Sequence, residues 1–218
     1  MKLDRKTKAN ILRWATHVVA LLPLAIIIWR FYTDQLSADP IRDITLRTGW
    51  AAIVLLVSSL ACTPLNTMLG WKQLLPLRRP LGLYAFLYVS LHLFIFVYLD
   101  YGLMWGLIRE GIFEKRYALV GFSAFLVLLP LALTSTKWSM RKLGKNWKRL
   151  HKWVYLAGIL AVVHYFWLVK NVYTRPIVFA VILTLLLLLR VPFVKQQVIR
   201  WRQAARKRLR VRRTTAVT

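Results

Sequence analysis

The chain has 218 residues, 58% of them hydrophobic, and carries 33 Lys and Arg against 7 Asp and Glu, for a formal net charge of +26. A soluble domain of this size would interleave charged with apolar residues along its helices. Here the charges are swept out of long apolar blocks, which excludes that class and marks a polytopic membrane protein. The same sweep argues against nucleic acid as the partner of the basic excess, which lies between apolar blocks rather than in one phosphate-binding stripe.

Six uncharged runs follow in chain order, at residues 14–29, 50–69, 81–99, 117–136, 154–169 and 177–189. They predict an all-α bundle of six transmembrane helices. The basic segment before the first run resembles the start of a signal peptide. No small-x-small site closes that run, which ends at Trp29 and Arg30, so it is expected to stay as the first span. The last run is short, but Arg190 can snorkel and residues 191–194 extend it.

If the spans alternate, the N-terminal tail, residues 70–80, residues 135–152 and the tail from Arg190 share one side. They hold 25 of the 33 basic residues, and the positive-inside rule places both termini in the cytoplasm. Asp34, Asp39, Asp43, Asp100, Glu110 and Glu114 fall on the other side. No internal repeat, low-complexity tract or linker is expected, so residues 1–218 form one domain with a basic cytoplasmic tail at 195–218. In that tail Val198, Trp201, Ala205 and Leu209 recur every three or four residues among arginines, a pattern for an amphipathic helix on membrane lipid headgroups or a plain positive anchor. Cys62 has no disulfide partner in the chain and is expected to be a small packing residue.

His92 and His164 lie deep in the third and fifth runs, which otherwise hold no ionisable group. An intramembrane imidazole is a functional suspect, and its neutral nitrogen is a common ligand of a metal or heme iron. Both runs point the same way, so the two residues reach similar depth and can grip one iron from two sides. Ala157, Gly158 and Ala161 leave room near His164, and Tyr88 and Phe96 flank His92. The structural alternative is a pair of histidines hydrogen-bonded between helices. His151, thirteen residues before His164, falls about 140° away from it on a straight helix, so it need not serve a second heme in line. It suits a propionate, flavin or quinone contact near the inner surface, or an ordinary interfacial position. His17 is expected to be a packing residue.

Other chemistry is scarce. The sequence has no pair of intramembrane carboxylates, no zinc-spaced Cys and His cluster, no hydrolase elbow and no Gly-rich dinucleotide loop. Arg78, Arg79, Arg141, Lys142, Lys145, Lys148 and Arg149 form a basic belt able to pair with propionates or a flavin phosphate.

Several stretches together resemble one family: Ala38-Asp-Pro-Ile-Arg-Asp-Ile44, Thr63-Pro-Leu65, Arg79-Pro-Leu-Gly-Leu83, Ser90-Leu-His-Leu93, Leu133-Thr-Ser-Thr136, Arg141-Lys-Leu-Gly-Lys145, Leu150-His-Lys152 and Val163-His-Tyr165. The resemblance is to the MsrQ-type heme-binding subunits of the periplasmic protein-methionine-sulfoxide reductase system, within the ferric reductase-like transmembrane family. It covers nearly all of the chain as far as Leu189. It implies a multi-pass protein of the bacterial inner membrane that binds heme b and is associated with FMN. Such a protein passes electrons from the quinone pool, or from a cytosolic flavin reductase, to a periplasmic molybdopterin-dependent methionine-sulfoxide reductase, with no substrate-reducing site of its own. The family's important histidines map onto His92, His151 and His164, with His92 and His164 as the expected iron ligands. Two rivals are kept: a ferric reductase or quinone-linked cytochrome b with another partner, and a heme-free membrane transporter or scaffold.

Overall fold

The computed structural model describes residues 4–215, with the side chains of residues 5, 6, 8 and 205–215 outside the description. Every element among them is helical: α1 (Arg5–Tyr32), α2 (Pro40–Leu69), α3 (Arg78–Phe94), α4 (Trp105–Phe113), α5 (Arg116–Leu133), α6 (Lys137–Leu143), α7 (Lys145–Leu150), α8 (Val154–Leu168), α9 (Thr174–Leu188) and α10 (Pro192–Thr215). A 3-10 turn, Lys72–Leu77, leads into α3, and a π-helical turn, Ile95–Asp100, leaves it.

The chain is an integral membrane protein. Four stretches, Ala9–Tyr32, Pro40–Leu69, Lys72–Asp100 and Arg116–Leu133, are long and apolar enough to cross a bilayer. A fifth candidate is the pair α9 and α10, bent by 80° at residues 189–191. The run expected as the fifth span is α8, whose 15 residues fall short of the ~20 that a bilayer needs for an upright helix.

The longest helix, α2, is the hub. Its start is fixed locally: Asp39 accepts a hydrogen bond from the Arg42 amide at 3.1 Å, and Pro40 opens the first turn without an amide to leave unpaired. Its end is Gly70, whose φ of 76° is left-handed and lets its amide close on Asn66 O at 2.8 Å. Between these ends the helix buries small and branched residues on two sides. One side gathers Ala51, Ala52, Leu55 and Leu56 with Ala20, Ala85, Tyr88, Leu128 and Ala157. The other joins Ile53, Val57 and Leu60 to Val162, Leu183 and Leu186. Alanines at the crossings let backbones approach, which is how helices associate where lipid offers no hydrophobic drive. Cys62 is buried in this hub as expected, with its thiol on Ser58 O.

Prolines inside the spans open gaps that side chains close. Near Pro23 in α1, the Tyr88 hydroxyl enters the helix ladder, donating to Ala20 O at 2.8 Å and accepting from the Leu24 amide at 3.0 Å. Pro64 in α2 has no amide for Leu60 O, and Arg190 supplies the missing donor through Nη2 at 2.6 Å. The tail is helical through α10, but its pattern differs from the expected one. Val198 and Arg202 turn inward while Trp201 is 78% exposed. Arg202 docks on the end of α2, with Nη1 to Asn66 O at 3.0 Å and Thr67 O at 2.8 Å, and this contact fixes which face is buried. The side chains of Ala205 and Leu209 lie outside the described residues.

Candidate functional site

His92 is near the end of α3 and His164 near the end of α8, and the packing of both helices around α2 and α5 brings the imidazoles together. Their ring centres are 6.1 Å apart with the planes at 84°. Each ring is tied by one nitrogen to the main chain of a neighbouring helix: His92 Nδ1 to Thr45 O at 2.9 Å, and His164 Nδ1 to Tyr117 O at 2.7 Å. A carbonyl can only accept, so Nδ1 carries the proton in both rings and Nε2 is left with its bare lone pair. Neither Nε2 has a hydrogen-bond partner among the described residues, nor is either one of the sealed polar atoms of the interior.

Two glycines make these contacts possible. Gly49 lies one turn after Thr45, and a Cβ there would meet His92 Nδ1 and Cε1 at 3.1 Å. Gly121 lies one turn after Tyr117, and a Cβ there would stand 2.6 Å from His164 Nδ1. Each imidazole therefore rests on bare helix backbone and reaches the carbonyl behind it. The small residues expected to leave room beside His164 are used differently. Ala157 is fully buried in the helix crossing, and Gly158 packs on Leu183 and Leu60. Tyr88, expected as an aromatic flank of His92, is committed to α1 through its hydroxyl.

The two halves of the site repeat each other. Both carbonyl-to-histidine bonds close over 47 residues. An offset of 72 residues carries Thr45 onto Tyr117, Gly49 onto Gly121 and His92 onto His164, and along the way Ala52 onto Ala124, Leu56 onto Leu128 and Ala85 onto Ala157, all six buried. The helix pair α2–α3 thus has a counterpart in α5–α8, a correspondence that corrects the expectation of a chain without internal repeats.

His151 is elsewhere. It opens a 3-10 turn, His151–Trp153, before α8, so it does not share one straight helix with His164, and roughly 20 Å of chain rise separates them. Its ring stacks on Trp147 with centres 3.9 Å apart, and Nε2 lies 3.1 Å from Thr134 Oγ1. The Thr134 hydroxyl donates to Pro130 O at 2.6 Å, so it accepts from His151, which makes Nε2 the protonated nitrogen there. Burial, and next the Arg78 guanidinium, hold His151 below the usual histidine range. Sequence reading did not single out Thr134 or Trp147, although both fall in or between the quoted motifs. His17 on α1 meets the Tyr84 hydroxyl through Nδ1 at 2.9 Å. With Asn10, Arg13, Trp14 and Leu21 the two line a surface groove of about 610 Å³.

Among the described residues no three His, Cys, Asp or Glu come together as a metal cage. Two neighbouring imidazoles with free Nε2 atoms suit instead a metal that brings its own equatorial ligands, as a porphyrin does. Imidazole–metal bonds of about 2 Å on opposite sides of one ion place ring centres roughly 6 Å apart, so the observed spacing fits.

The family described as "Ferric reductase like transmembrane component" matches residues 48–162. A relative in Xanthomonas campestris pv. campestris, named as protein-methionine-sulfoxide reductase heme-binding subunit MsrQ, is 45% identical over 93% of this chain and 89% of its own length. Proteins of the same name in Xanthomonas euvesicatoria pv. vesicatoria and Rhodospirillum rubrum are 41% and 42% identical, over 96% and 88% of this chain and 96% and 93% of their own. No solved structure matches the chain.

Proposed function

The chain belongs to the MsrQ family of ferric reductase-like transmembrane proteins, and on that premise we propose that it is the heme-binding electron-transfer subunit of a protein-methionine-sulfoxide reductase. His92 and His164 would hold its iron through their free Nε2 atoms. The observation that carries this reading is the pair of neighbouring imidazoles, with ring centres 6.1 Å apart, whose Nδ1 atoms are both committed to carbonyls.

Bound heme b supplies one-electron redox chemistry. The residues of this chain do the rest. Thr45 O and Tyr117 O fix the tautomer and orientation of the two rings, a contact that raises ligand basicity. Gly49 and Gly121 keep the rings against the helices. The chain has no substrate-reducing site of its own, and its electrons leave for a periplasmic molybdopterin-dependent methionine-sulfoxide reductase. Six crossings of the bacterial inner membrane, with both termini and the basic belt in the cytoplasm, put His92 and His164 toward the periplasmic side. The groove at His17 and Tyr84 then opens in the inner half of the bilayer. A polar pair flanked by an exposed tryptophan there supports the quinone pool as donor rather than a cytosolic flavin reductase. FMN rests on the resemblance alone, since the sequence shows no Gly-rich loop to cradle its phosphate.

Oxidised and reduced visible spectra of the detergent-purified protein, beside His92→Ala and His164→Ala, with heme and flavin extracted and counted, test the assignment. Sharp reduced b-type bands in the wild type and their loss in both variants are expected. A full heme complement in either variant refutes the ligand pair. A colourless wild type from heme-replete cells refutes the function and leaves a transporter or scaffold. For the donor, Tyr84→Phe and His17→Leu should slow reduction by a short-tailed quinol and leave reduction by dithionite unchanged.

A further inference from the structure

The short helix α4 contributes no side chain to the histidine site, and its surface divides into three faces. Ile108, Gly111 and Ile112 are all buried, and at about 100° per residue they fall together on one side of the helix. Trp105, Arg109 and Phe113 follow at four-residue steps and make a stripe about 80° wide beside that buried face. Trp105 is 80% and Phe113 64% exposed. Glu110 and Glu114 lie beyond the stripe, about 140° and 180° round from Trp105. Leu107, partly exposed, borders the packed face on its other edge.

The helix cannot roll to hide the aromatic stripe. Gly111 lies so close to Tyr101 that a Cβ there would stand 2.6 Å from its hydroxyl, and Lys115 Nζ donates to the same hydroxyl at 2.9 Å. Just before the helix, Leu103 has a left-handed backbone with φ at 60°, uncommon for a residue with a side chain, and it too is exposed, as is Met104. If this segment met only water, Leu103, Met104, Trp105 and Phe113 would all stand open to it.

What covers them follows from where the segment is tied. Four residues separate α4 from the stretch Lys72–Asp100 and two separate it from Arg116–Leu133, both of them long and apolar enough to cross a bilayer. Linkers that short hold it at the bilayer surface. Those stretches carry exposed apolar residues of their own at that end, Tyr98 and Leu99 on one and Leu119 on the other, so α4 adds to a surface already facing lipid. Two aromatic rings with an arginine between them suit the headgroup layer, where rings sit at the polar boundary and arginine reaches up to phosphates.

We propose that α4 lies in the headgroup layer of the bilayer, with Trp105 and Phe113 inserted toward the acyl chains, Arg109 on lipid phosphates, and Glu110 and Glu114 in water. This placement does not rest on the heme reading. A protein partner also favours Trp, Arg and Phe, but it needs the stripe to face water, and that difference is measurable.

The test uses the full chain with its single cysteine removed by Cys62→Ser, in nanodiscs of phosphatidylethanolamine and phosphatidylglycerol, spin-labelled through Trp105→Cys, Glu110→Cys, Phe113→Cys or Glu114→Cys. Relaxation by oxygen, which concentrates in lipid, is compared with relaxation by a nickel chelate, which stays in water. Oxygen should dominate at the two aromatic positions and the nickel chelate at the two glutamate positions. Strong nickel relaxation at all four overturns the proposal and leaves a face open to a soluble protein. Weak relaxation by both reagents at the aromatic positions overturns it as well, in favour of a face covered by a second copy of the chain. A second measurement keeps Cys62: the emission lost in Trp105→Phe should be quenched by brominated phosphatidylcholine more than by acrylamide, and the reverse order overturns the proposal.

Discussion

Replacing Gly121 by Ala adds one methyl group, and the structure says where it would go. Its carbon would stand 2.6 Å from His164 Nδ1 and 2.8 Å from Cε1, inside any real contact distance. The neighbour is a planar ring held at one edge by Tyr117 O, so the ring must swing away and give up that hydrogen bond. The bond itself contributes about 1 kcal/mol net, and stranding its donor in a dry interior costs about 1–3 kcal/mol. A deficit of that size, expressed in the heme-bound state, is a five- to 150-fold loss of affinity. Gly49→Ala makes the control. Its methyl would meet His92 at 3.1 Å, which asks for a shift of only a few tenths of an ångström. Alanine also favours each helix by up to about 1 kcal/mol over glycine, so neither substitution should cost the helices themselves. The assay is heme per chain by extraction at limiting heme supply, with the reduced spectrum and the unfolding midpoint of the heme-free protein. Gly121→Ala should lose most of its heme and Gly49→Ala much less, with the heme-free midpoint of Gly121→Ala lowered only by the part of that cost which alanine's helix preference does not offset. Full heme and an unshifted spectrum in Gly121→Ala would refute the claim that bare backbone seats His164.

Three further outcomes follow from contacts elsewhere. His151 is held below the usual histidine range by burial first and Arg78 second, so the unfolded chain takes up its proton before the folded one. Stability from this group is therefore fully present above about pH 6.5 and is lost as pH falls through the lower folded value; thermal unfolding between pH 8 and 5 should show a shallower acid limb in His151→Gln. Tyr88→Phe removes the hydroxyl that bridges Ala20 O and the Leu24 amide and should destabilise the protein by about 1–3 kcal/mol, read as a lower unfolding midpoint. Tyr84→Phe, whose hydroxyl among the described residues meets only His17, should leave that midpoint nearly unchanged. Arg190→Met strands Leu60 O and should cost a similar 1–3 kcal/mol, or about that. Pro64→Ala supplies Leu60 O with its own helical amide, so the same arginine change should cost clearly less in a Pro64→Ala background, and equal costs would sink the account.

Much of the architecture was legible because the bilayer reads composition almost directly. The uncharged runs and their basic flanks anticipate helices at their places, but α2 begins at Pro40, well before the run at 50–69 that predicts it, because Asp39 and Pro40 start the helix by cap chemistry that hydropathy does not register. Spans were harder to count than helices, since α8 and α9, at 15 residues each, leave the crossing to local thinning of the bilayer or to a bent continuation. The tail pattern misled for a different reason. Spacing of Val198 and Trp201 defines a face, but a single tertiary contact, Arg202 on the end of α2, decides which face turns inward.

His92 and His164 stood out as ionisable groups in apolar runs, yet the residues that seat them did not. Gly49 and Gly121 read as ordinary small residues in a membrane helix, and Ala157 and Gly158 looked better placed because they share a helix with His164. What selects the glycines is a relation across helices: an imidazole must reach a carbonyl one turn before a residue that has no side chain. Both halves of the site solve that problem identically, at an offset of 72 residues, and the correspondence escapes a search for repeats because lipid asks only that intervening residues be apolar. Ile53 faces Phe125 across that offset and Ser58 faces Pro130, so side-chain identity drifts where membrane and packing are tolerant. It holds where backbone meets ring or backbone meets backbone, at Gly49 and Gly121, Ala52 and Ala124, Ala85 and Ala157, His92 and His164. Two equivalent helix pairs, each offering one oriented imidazole, make a binding place that neither pair holds alone. The symmetry also explains why the rings end at matching depth although the loops between them differ in length and shape.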